Sequence, residues 1–99
     1  MVFNVIITEP ANDDLDEITT YISEELQSPS AADRLTKRIG KIIDNLSSMP
    51  EMYDTLDQNP SLRKVPIGKY LMIFRLDPSS GTVQILRFFH GTQDYEAIL

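Results

Sequence analysis

The order of hydrophobic and polar residues along the first half of the chain predicts one strand followed by two helices. Residues 2–8, VFNVIIT, are rich in β-branched side chains and predict a strand. Beyond it, apolar residues recur every three or four positions, the spacing that places side chains on one face of a helix. In a first helix running to about residue 26, this stripe comprises Leu15, Ile18, Ile22 and Leu26. The stripe of the second helix comprises Leu35, Ile39, Ile42, Ile43 and Leu46.

Turn and capping residues separate the two predicted helices. Thr8 is placed to cap the first helix, and Pro10 suits its first turn, where a backbone N–H would have no partner. The sequence Ser28-Pro29-Ser30 is expected to break the chain between the helices. Ser30 followed by Asp33 has the form of a capping box that opens the second helix. A short linker between two amphipathic helices predicts an antiparallel helical hairpin.

The second half of the chain predicts β structure. Residues 51–60 are polar and proline-containing, which indicates a loop, and residues 62–67 predict a short strand that Pro66 confines to an edge or ends early. Tyr70–Asp77 and Thr82–His90 are two longer apolar runs on either side of a Pro-Ser-Ser-Gly turn. This arrangement predicts a β-hairpin with a loop of more than two residues.

Together these elements predict a single α+β domain over residues 1–99. Its expected order is an N-terminal strand, an antiparallel helical hairpin, three antiparallel strands and a short C-terminal tail. A helical hairpin that covers one face of a mainly antiparallel sheet buries the apolar stripes of both. A chain of 99 residues is large enough for one modest core and too small for two domains.

Composition narrows the class of protein. The chain has no cysteine, which removes disulfides and thiolate metal sites and fits a reducing compartment. We find no signal-peptide pattern at the N-terminus and no apolar run near the roughly 18 residues of a membrane span. We therefore expect a cytoplasmic protein that does not act in a membrane.

Charge is distributed unevenly. The formal net charge is −6, but residues 1–33 carry eight acids and no base, so the remainder of the chain is positive by two. Arg34, Lys37, Arg38 and Lys41 follow one another at helical spacing and form a basic edge on the second helix. This edge either contacts phosphate or an acidic partner, or is a solvated edge that pairs with the acids of the first helix.

The residues of the C-terminal hairpin carry most of the candidate chemistry. Arg87 lies in an apolar strand, where we expect it to share a face with Val83, Ile85 and Phe89. It could bind a phosphate or carboxylate through its planar guanidinium, or pair with a local acid across the strands. His90 could act as an acid or base near neutral pH. With one histidine and no glycine-rich phosphate loop, the chain predicts no metal site and no cofactor.

Three segments resemble the RelE/ParE superfamily of toxins from bacterial toxin–antitoxin modules. They are RKVPIGKYLMIFRLD, VQILRFFHG and the ending HGTQDYEAIL, of which the spacing H-G-x-x-D-Y is the most specific feature. The predicted strand–helix–helix order before them also fits, so the resemblance extends over nearly the whole chain.

The resemblance implies a cytoplasmic toxin that arrests growth and is neutralised by a cognate antitoxin. RelE-like members cleave mRNA on the ribosome without a metal, whereas ParE-like members act on DNA gyrase. Carried over to this chain, a RelE-like site would use Arg87, Tyr95 and His90, and would bind RNA or a partner through Arg63, Lys64 and Lys69. RelE-like nucleases commonly have arginine after the aromatic residue that begins the penultimate strand.

At that position this chain has Leu71, directly after Tyr70. The pattern leans towards a ParE-like, non-enzymatic toxin. A degenerate member that only binds an antitoxin remains the alternative. For Tyr95, the competing interpretation is that the side chain packs down as part of a C-terminal anchor.

Overall fold

The computed structural model describes residues 2–91. The first half contains strand β1 (Asn4–Ile7), helix α1 (Glu9–Thr20), a π-helical turn (Tyr21–Glu25), helix α2 (Pro29–Ser48) and a 3₁₀ turn (Pro50–Met52). The second half contains strands β2 (Thr55–Leu56), β3 (Asn59–Ile67), β4 (Tyr70–Asp77) and β5 (Thr82–His90). No helix among residues 2–91 is both long enough and apolar enough to cross a membrane.

These elements confirm the predicted α+β architecture, with one difference in the segment expected to be a loop. Residues 51–60 contain the 3₁₀ turn, the two-residue strand β2 and the beginning of β3. β2 pairs antiparallel with β3 through an irregular register, with Thr55 opposite Arg63 and Leu56 opposite Asn59. Strand β2 has only two residues, which is too short to leave a period-two pattern in a polar sequence, so the sequence of this segment predicted a loop.

The five strands form one sheet in the order β1-β5-β4-β3-β2. β3, β4 and β5 are antiparallel neighbours, as predicted, whereas β1 pairs parallel with β5, from Asn4 opposite Thr82 to Ile7 opposite Ile85. The first strand of the chain therefore lies beside the last, and the two helices form part of the connection between them.

The main core lies between the sheet and the helices. Its fully buried members include Ala11 of α1, Ile39 and Leu46 of α2, and Met72 and Phe74 of β4. A second buried cluster, composed of residues from β2 to β5, is separate from this core. Its members are Leu56, Leu62, Ile73 and Phe89.

The helix boundaries correct two capping predictions. Thr8 precedes α1, and proline occupies the first turn as expected, but the Thr8 side chain makes no capping hydrogen bond. α2 begins at Pro29 with Ser28 as its N-cap, so the Ser30–Asp33 capping box is wrong. Pro29 begins α2 and does not interrupt it. A proline at the first helical position has a suitable φ and loses no helical hydrogen bond.

The π-helical turn explains why the first apolar stripe ends early. Leu26 donates its backbone N–H to the carbonyl of Tyr21, which is a hydrogen bond between residues five apart. Such a turn inserts one residue into the helical repeat and rotates whatever follows. As a result, Ile22 is buried but Leu26 is 55% exposed.

A register shift in the β4–β5 pair corrects the predicted face of Arg87. Ile73 lies opposite Arg87 and Phe74 opposite Ile85, so Leu86 is an extra residue in β5. An extra residue of this kind exchanges the two faces of the strand beyond it. Ile85 therefore belongs to the main core, while Arg87 shares its side with Phe89.

Candidate functional site

The open edge of β5 is where the candidate site begins. β1 covers β5 only as far as Ile85, and α1 starts immediately after β1. The Thr8 hydroxyl continues along this edge by donating to the carbonyl of Ile85 at 2.7 Å and to that of Leu86 at 3.2 Å. Asp14, in the second turn of α1, accepts the backbone N–H of Phe88 at 3.0 Å. The side chains of Thr8 and Asp14 thus form hydrogen bonds with backbone groups of β5 that β1 is too short to reach.

Asp14 also binds the guanidinium of Arg87. Arg87 Nε donates a hydrogen bond to Asp14 Oδ2 at 2.7 Å, and Arg87 Nη2 donates a second one to Asp14 Oδ1 at 3.1 Å. The guanidinium carbon lies 4.9 Å from the centre of the Phe89 ring. The hydrogen bonds to Asp14 raise the pKa of Arg87, against a smaller opposing effect of burial. The planar fork of arginine suits a two-oxygen acceptor of this kind, so the pair fixes the orientation of Arg87.

A cavity of about 730 Å³ lies beside this pair, between the helices and the ends of β4 and β5. It brings together three of the candidate site residues named from the sequence, two cations and the histidine. These residues are Lys69, Arg87 and His90. The opposite wall is formed by α1 and the π-helical turn, including Glu17, Tyr21 and the exposed Leu26.

Tyr70 and His90 face one another at the mouth of the cavity. They are register partners at the start of β4 and the end of β5, and their rings meet edge to face with centroids 5.6 Å apart. Burial raises the pKa of the Tyr70 phenol, and the nearby Tyr21 raises it further. The phenol therefore stays protonated at neutral pH, where it can donate a hydrogen bond but cannot serve as a base.

The three basic residues predicted to bind RNA or a partner lie in two places, Lys69 at the cavity and Arg63 and Lys64 away from it. Lys69 is exposed in the turn between β3 and β4, and its carbonyl accepts the N–H of Gly91 at 2.6 Å, which holds the ends of the hairpin together. Arg63 does not line the cavity and instead donates to the carbonyls of Tyr53 at 2.6 Å and Glu51 at 3.2 Å.

Lys64, like Arg63, lies in β3 and is half-buried away from the cavity. The structure therefore does not bring Arg63 and Lys64 together with Arg87. Tyr95 lies outside the described residues.

Sequence reasoning missed Asp14, which is the principal partner of Arg87. In the sequence, Asp14 is only one of the eight acids of residues 1–33, several of which lie near the start of the first helix, where the helix dipole favours acids. The two residues are 73 positions apart, so no local pattern links them. The one available signal was the arginine itself, because a charged side chain in an apolar strand needs a partner.

The described residues contain no cluster of three or more histidine, cysteine, aspartate or glutamate side chains that could hold a metal ion. The side chains that line the cavity are the carboxylates Asp14 and Glu17, the cations Lys69 and Arg87, two tyrosines, one histidine and apolar residues.

A sequence model of the ParE toxin of type II toxin-antitoxin systems, parDE, matches residues 5–95. The chain belongs to this family. It is thus a ParE-family toxin of a type II toxin–antitoxin system, and the superfamily indicated by its sequence motifs is confirmed. No curated protein matches the sequence of this ParE-family toxin.

Solved structures show that the fold is shared by ParE-type and RelE-type toxins. The structure of the chromosomal ParDE system from P. aeruginosa matches with a TM-score of 0.74 at 21% identity, over 90% of this chain and 96% of that one. The archaeal RelE–RelB complex from Pyrococcus horikoshii OT3 matches with a TM-score of 0.66 at 18% identity, over 94% and 99% of the two chains. The RelBE2 complex from Mycobacterium tuberculosis matches with a TM-score of 0.58 at 23% identity, over 91% and 99%.

Proposed function

We propose that this toxin arrests growth in the cytoplasm by binding and inhibiting DNA gyrase, and that a cognate antitoxin neutralises it. The match to the ParE family supports a ParE-like target. The structures of ParDE and RelE–RelB complexes, which share this fold, support an antitoxin as partner. No catalytic residue is needed for such a toxin, since inhibition by protein–protein contact requires only a complementary surface.

The Arg87–Asp14 pair is the observation that carries this proposal. Metal-free RNA cleavage needs unneutralised positive charge beside the phosphorane that forms in the transition state. Asp14 takes up two guanidinium donors of Arg87 and cancels its charge locally. Leu71 stands where many RelE-like nucleases have a further arginine, and the protonated Tyr70 cannot act as a base. The site is therefore poorly equipped to cleave RNA.

Ribosome-dependent mRNA cleavage is the second candidate, and the cavity provides the observation in its favour. Lys69 and His90 line the same cavity as Arg87. Two cations and a hydrogen-bonding imidazole are a set of groups that could surround a phosphate. In that mechanism the catalytic residues would be Arg87, His90 and Tyr95. Arg87 would have to leave Asp14 when RNA bound.

The test is inducible expression without antitoxin, with incorporation of labelled thymidine and labelled amino acid followed from the time of induction. We expect DNA synthesis to fall first, and the purified toxin to inhibit supercoiling by gyrase. The variant Arg87→Gln should retain toxicity if it folds, as should Arg75→Gln, a matched control in which an exposed strand arginine is changed.

Two outcomes would contradict the proposal. An early fall in translation that is abolished by Arg87→Gln and spared by Arg75→Gln would establish the ribonuclease instead. Undisturbed growth with soluble, folded toxin would leave only a degenerate member that binds an antitoxin.

A further inference from the structure

The basic edge of α2 has no acidic partner among the described residues. Arg34, Lys37, Arg38 and Lys41 are all exposed, and the only ion pair that joins two described residues is Arg87–Asp14. The edge is therefore solvated, as one of the two interpretations expected, but it forms no ion pair with the acids of the first helix among residues 2–91. A chain with a net charge of −6 thus presents four exposed cations on one helix.

Two of these cations line a pocket of about 400 Å³ between α2 and the β3–β4 turn, which we name the α2 pocket. Arg34 and Arg38 line it from the helix, and Lys69 lines it from the turn. Arg38 reaches across to the turn, since a Cβ built on Gly68 would lie 3.8 Å from its Nη1. No acidic side chain is among the lining residues, whereas Lys37 and Lys41 lie outside the pocket.

The rest of the α2 pocket is mainly apolar. Its other lining side chains are Ile22, Ala31, Leu35, Ile67 and Tyr70. Three of these residues, together with Lys69, also line the larger cavity: Ile22, Ala31 and Tyr70. The apolar surface therefore continues from the pocket towards Tyr21 and Leu26, which are 51% and 55% exposed.

Cations around an aliphatic surface match one kind of ligand. Carboxylates bind the forked guanidinium of arginine through paired hydrogen bonds. Aliphatic side chains gain free energy by covering apolar surface that is still accessible, which here lies on the half-buried Leu35 and Tyr70 and on the exposed Leu26. Both groups occur together on an amphipathic segment of a protein, and grooves of this type accept such segments. Single-stranded nucleic acid instead favours a row of aromatic platforms, of which the pocket offers only Tyr70.

We propose that the α2 pocket binds an acidic amphipathic segment of a partner protein. The apolar side chains of that segment cover Leu35, Tyr70 and Leu26, and its carboxylates bind Arg34, Arg38 and Lys69. This inference does not depend on the gyrase proposal, because its assay measures peptide binding and not the inhibition of DNA synthesis.

The test uses the full-length, isotope-labelled protein and one defined probe. The probe is a 20-residue peptide with leucine at helical spacing and glutamate at most other positions. We expect the peptide to shift the resonances of the protein mainly at residues that line the α2 pocket. The affinity of the peptide should fall as the salt concentration is raised. The double variant Arg34→Glu/Arg38→Glu should weaken binding at least about tenfold, because two attractive contacts become repulsive.

The chain supplies a matched control on the same helix. Lys37→Glu/Lys41→Glu changes the net charge by the same amount, but at two cations that do not line the pocket. We expect this control to keep the affinity within about threefold of the wild type, since only long-range charge is altered. Should Arg34→Glu/Arg38→Glu fail to fold, the variant Arg34→Gln/Arg38→Gln removes both cations without adding acids. We expect this variant also to weaken binding.

Several results would overturn the proposal. Equal weakening by both double variants would show that overall charge, not the pocket, attracts the peptide. Tighter binding of a single-stranded RNA with the same dependence on Arg34 and Arg38 would make the pocket a nucleic-acid site. Failure of the peptide to bind the full chain would also overturn it, whether the pocket is closed to ligands or occupied by residues 92–99 or a second copy.

Discussion

The Asp14 carboxylate offers the sharpest test of how the helices are joined to the sheet. It accepts three hydrogen bonds: two from Arg87 and one from the backbone N–H of Phe88. Asp14→Ala removes both acceptor oxygens, and with them all three hydrogen bonds, and leaves the strand N–H and the guanidinium without their partner. Because Asp14 is the link between α1 and the uncovered end of β5, we expect the loss to reduce global stability.

The magnitude follows from the exposure of the groups. A partly buried backbone donor without an acceptor costs about 1–3 kcal/mol. The Arg87 side chain is 34% exposed and that of Asp14 is 15% exposed, so the ion pair itself contributes near the surface value of about 0–1 kcal/mol. Asp14→Ala should therefore lower the free energy of unfolding by about 2–3 kcal/mol. For a domain of this size, that corresponds to a fall in Tm of about 8–24 °C.

The assay is urea denaturation followed by circular dichroism, for the single variants and for the double variant Asp14→Ala/Arg87→Ala. The coupling free energy from this double-mutant cycle should be about 1 kcal/mol, because the two side chains are in direct contact. Asp14→Asn should cost less than Asp14→Ala, since the amide oxygen can still accept the Phe88 N–H.

Asp13→Ala is the matched control, because it removes the same charge from an exposed neighbour on the same helix. We expect it to change the free energy of unfolding by no more than about 0.5 kcal/mol. Equal effects of Asp13→Ala and Asp14→Ala, or a coupling free energy of zero between Asp14 and Arg87, would refute the reasoning.

Three further predictions concern other parts of the fold. Arg63→Ala should lower the free energy of unfolding by about 1–2 kcal/mol, measured in urea, because Arg63 holds the carbonyl of Tyr53. Gly68→Ala should cost about 1–2 kcal/mol in the same assay, because Gly68 has φ +58° and alanine disfavours that conformation. The hydrogen bond from the Ser79 hydroxyl holds the pKa of Asp77 below its usual value of 3.8. The ionised Asp77 carboxylate therefore stabilises the folded protein above that pH, and this contribution is lost as the pH falls. The stability difference between wild type and Asp77→Asn, measured from about pH 6 to about pH 2, should therefore shrink.

Each of these predictions has a control within the chain. Arg75→Ala changes an exposed strand arginine and should be nearly neutral, so equal losses for Arg63 and Arg75 would contradict a structural role for Arg63. Gly40→Ala, in the interior of α2 with open space around it, should stabilise by up to about 1 kcal/mol. If Gly68→Ala also stabilised, backbone strain would not be the determining factor. For Asp77, a difference that stayed constant down to about pH 2 would exclude the assigned pKa shift.

Much of the fold was predictable because its determinants are local. Ile39 and Leu46 are buried as helical spacing indicated, and β4 and β5 have the bounds Tyr70–Asp77 and Thr82–His90 expected from their apolar runs. A local pattern of this kind fixes which residues face the core, because helix and strand geometry repeat over a few positions. The family could also be inferred from the sequence, from short segments of the same hairpin.

The candidate site was predictable only in part. The sequence singled out Arg87, His90 and Lys69, and the structure places all three around one cavity. It gave no reason to separate them from Arg63, whose guanidinium is held by backbone carbonyls of the preceding loop. Residue type alone could not distinguish a cation that faces a cavity from one that supports a turn.

Three features depended on tertiary structure alone. They are the parallel pairing of β1 with β5, the extra residue at Leu86 and the bond between Asp14 and Arg87. Each joins residues that are distant in sequence or depends on strand register, which is chosen by the packing of the whole sheet and not by the local order of side chains. The sequence by itself determined the elements, the class of fold and the family. Tertiary structure decided that the arginine at the centre of the predicted site is already bound to an acid of the first helix.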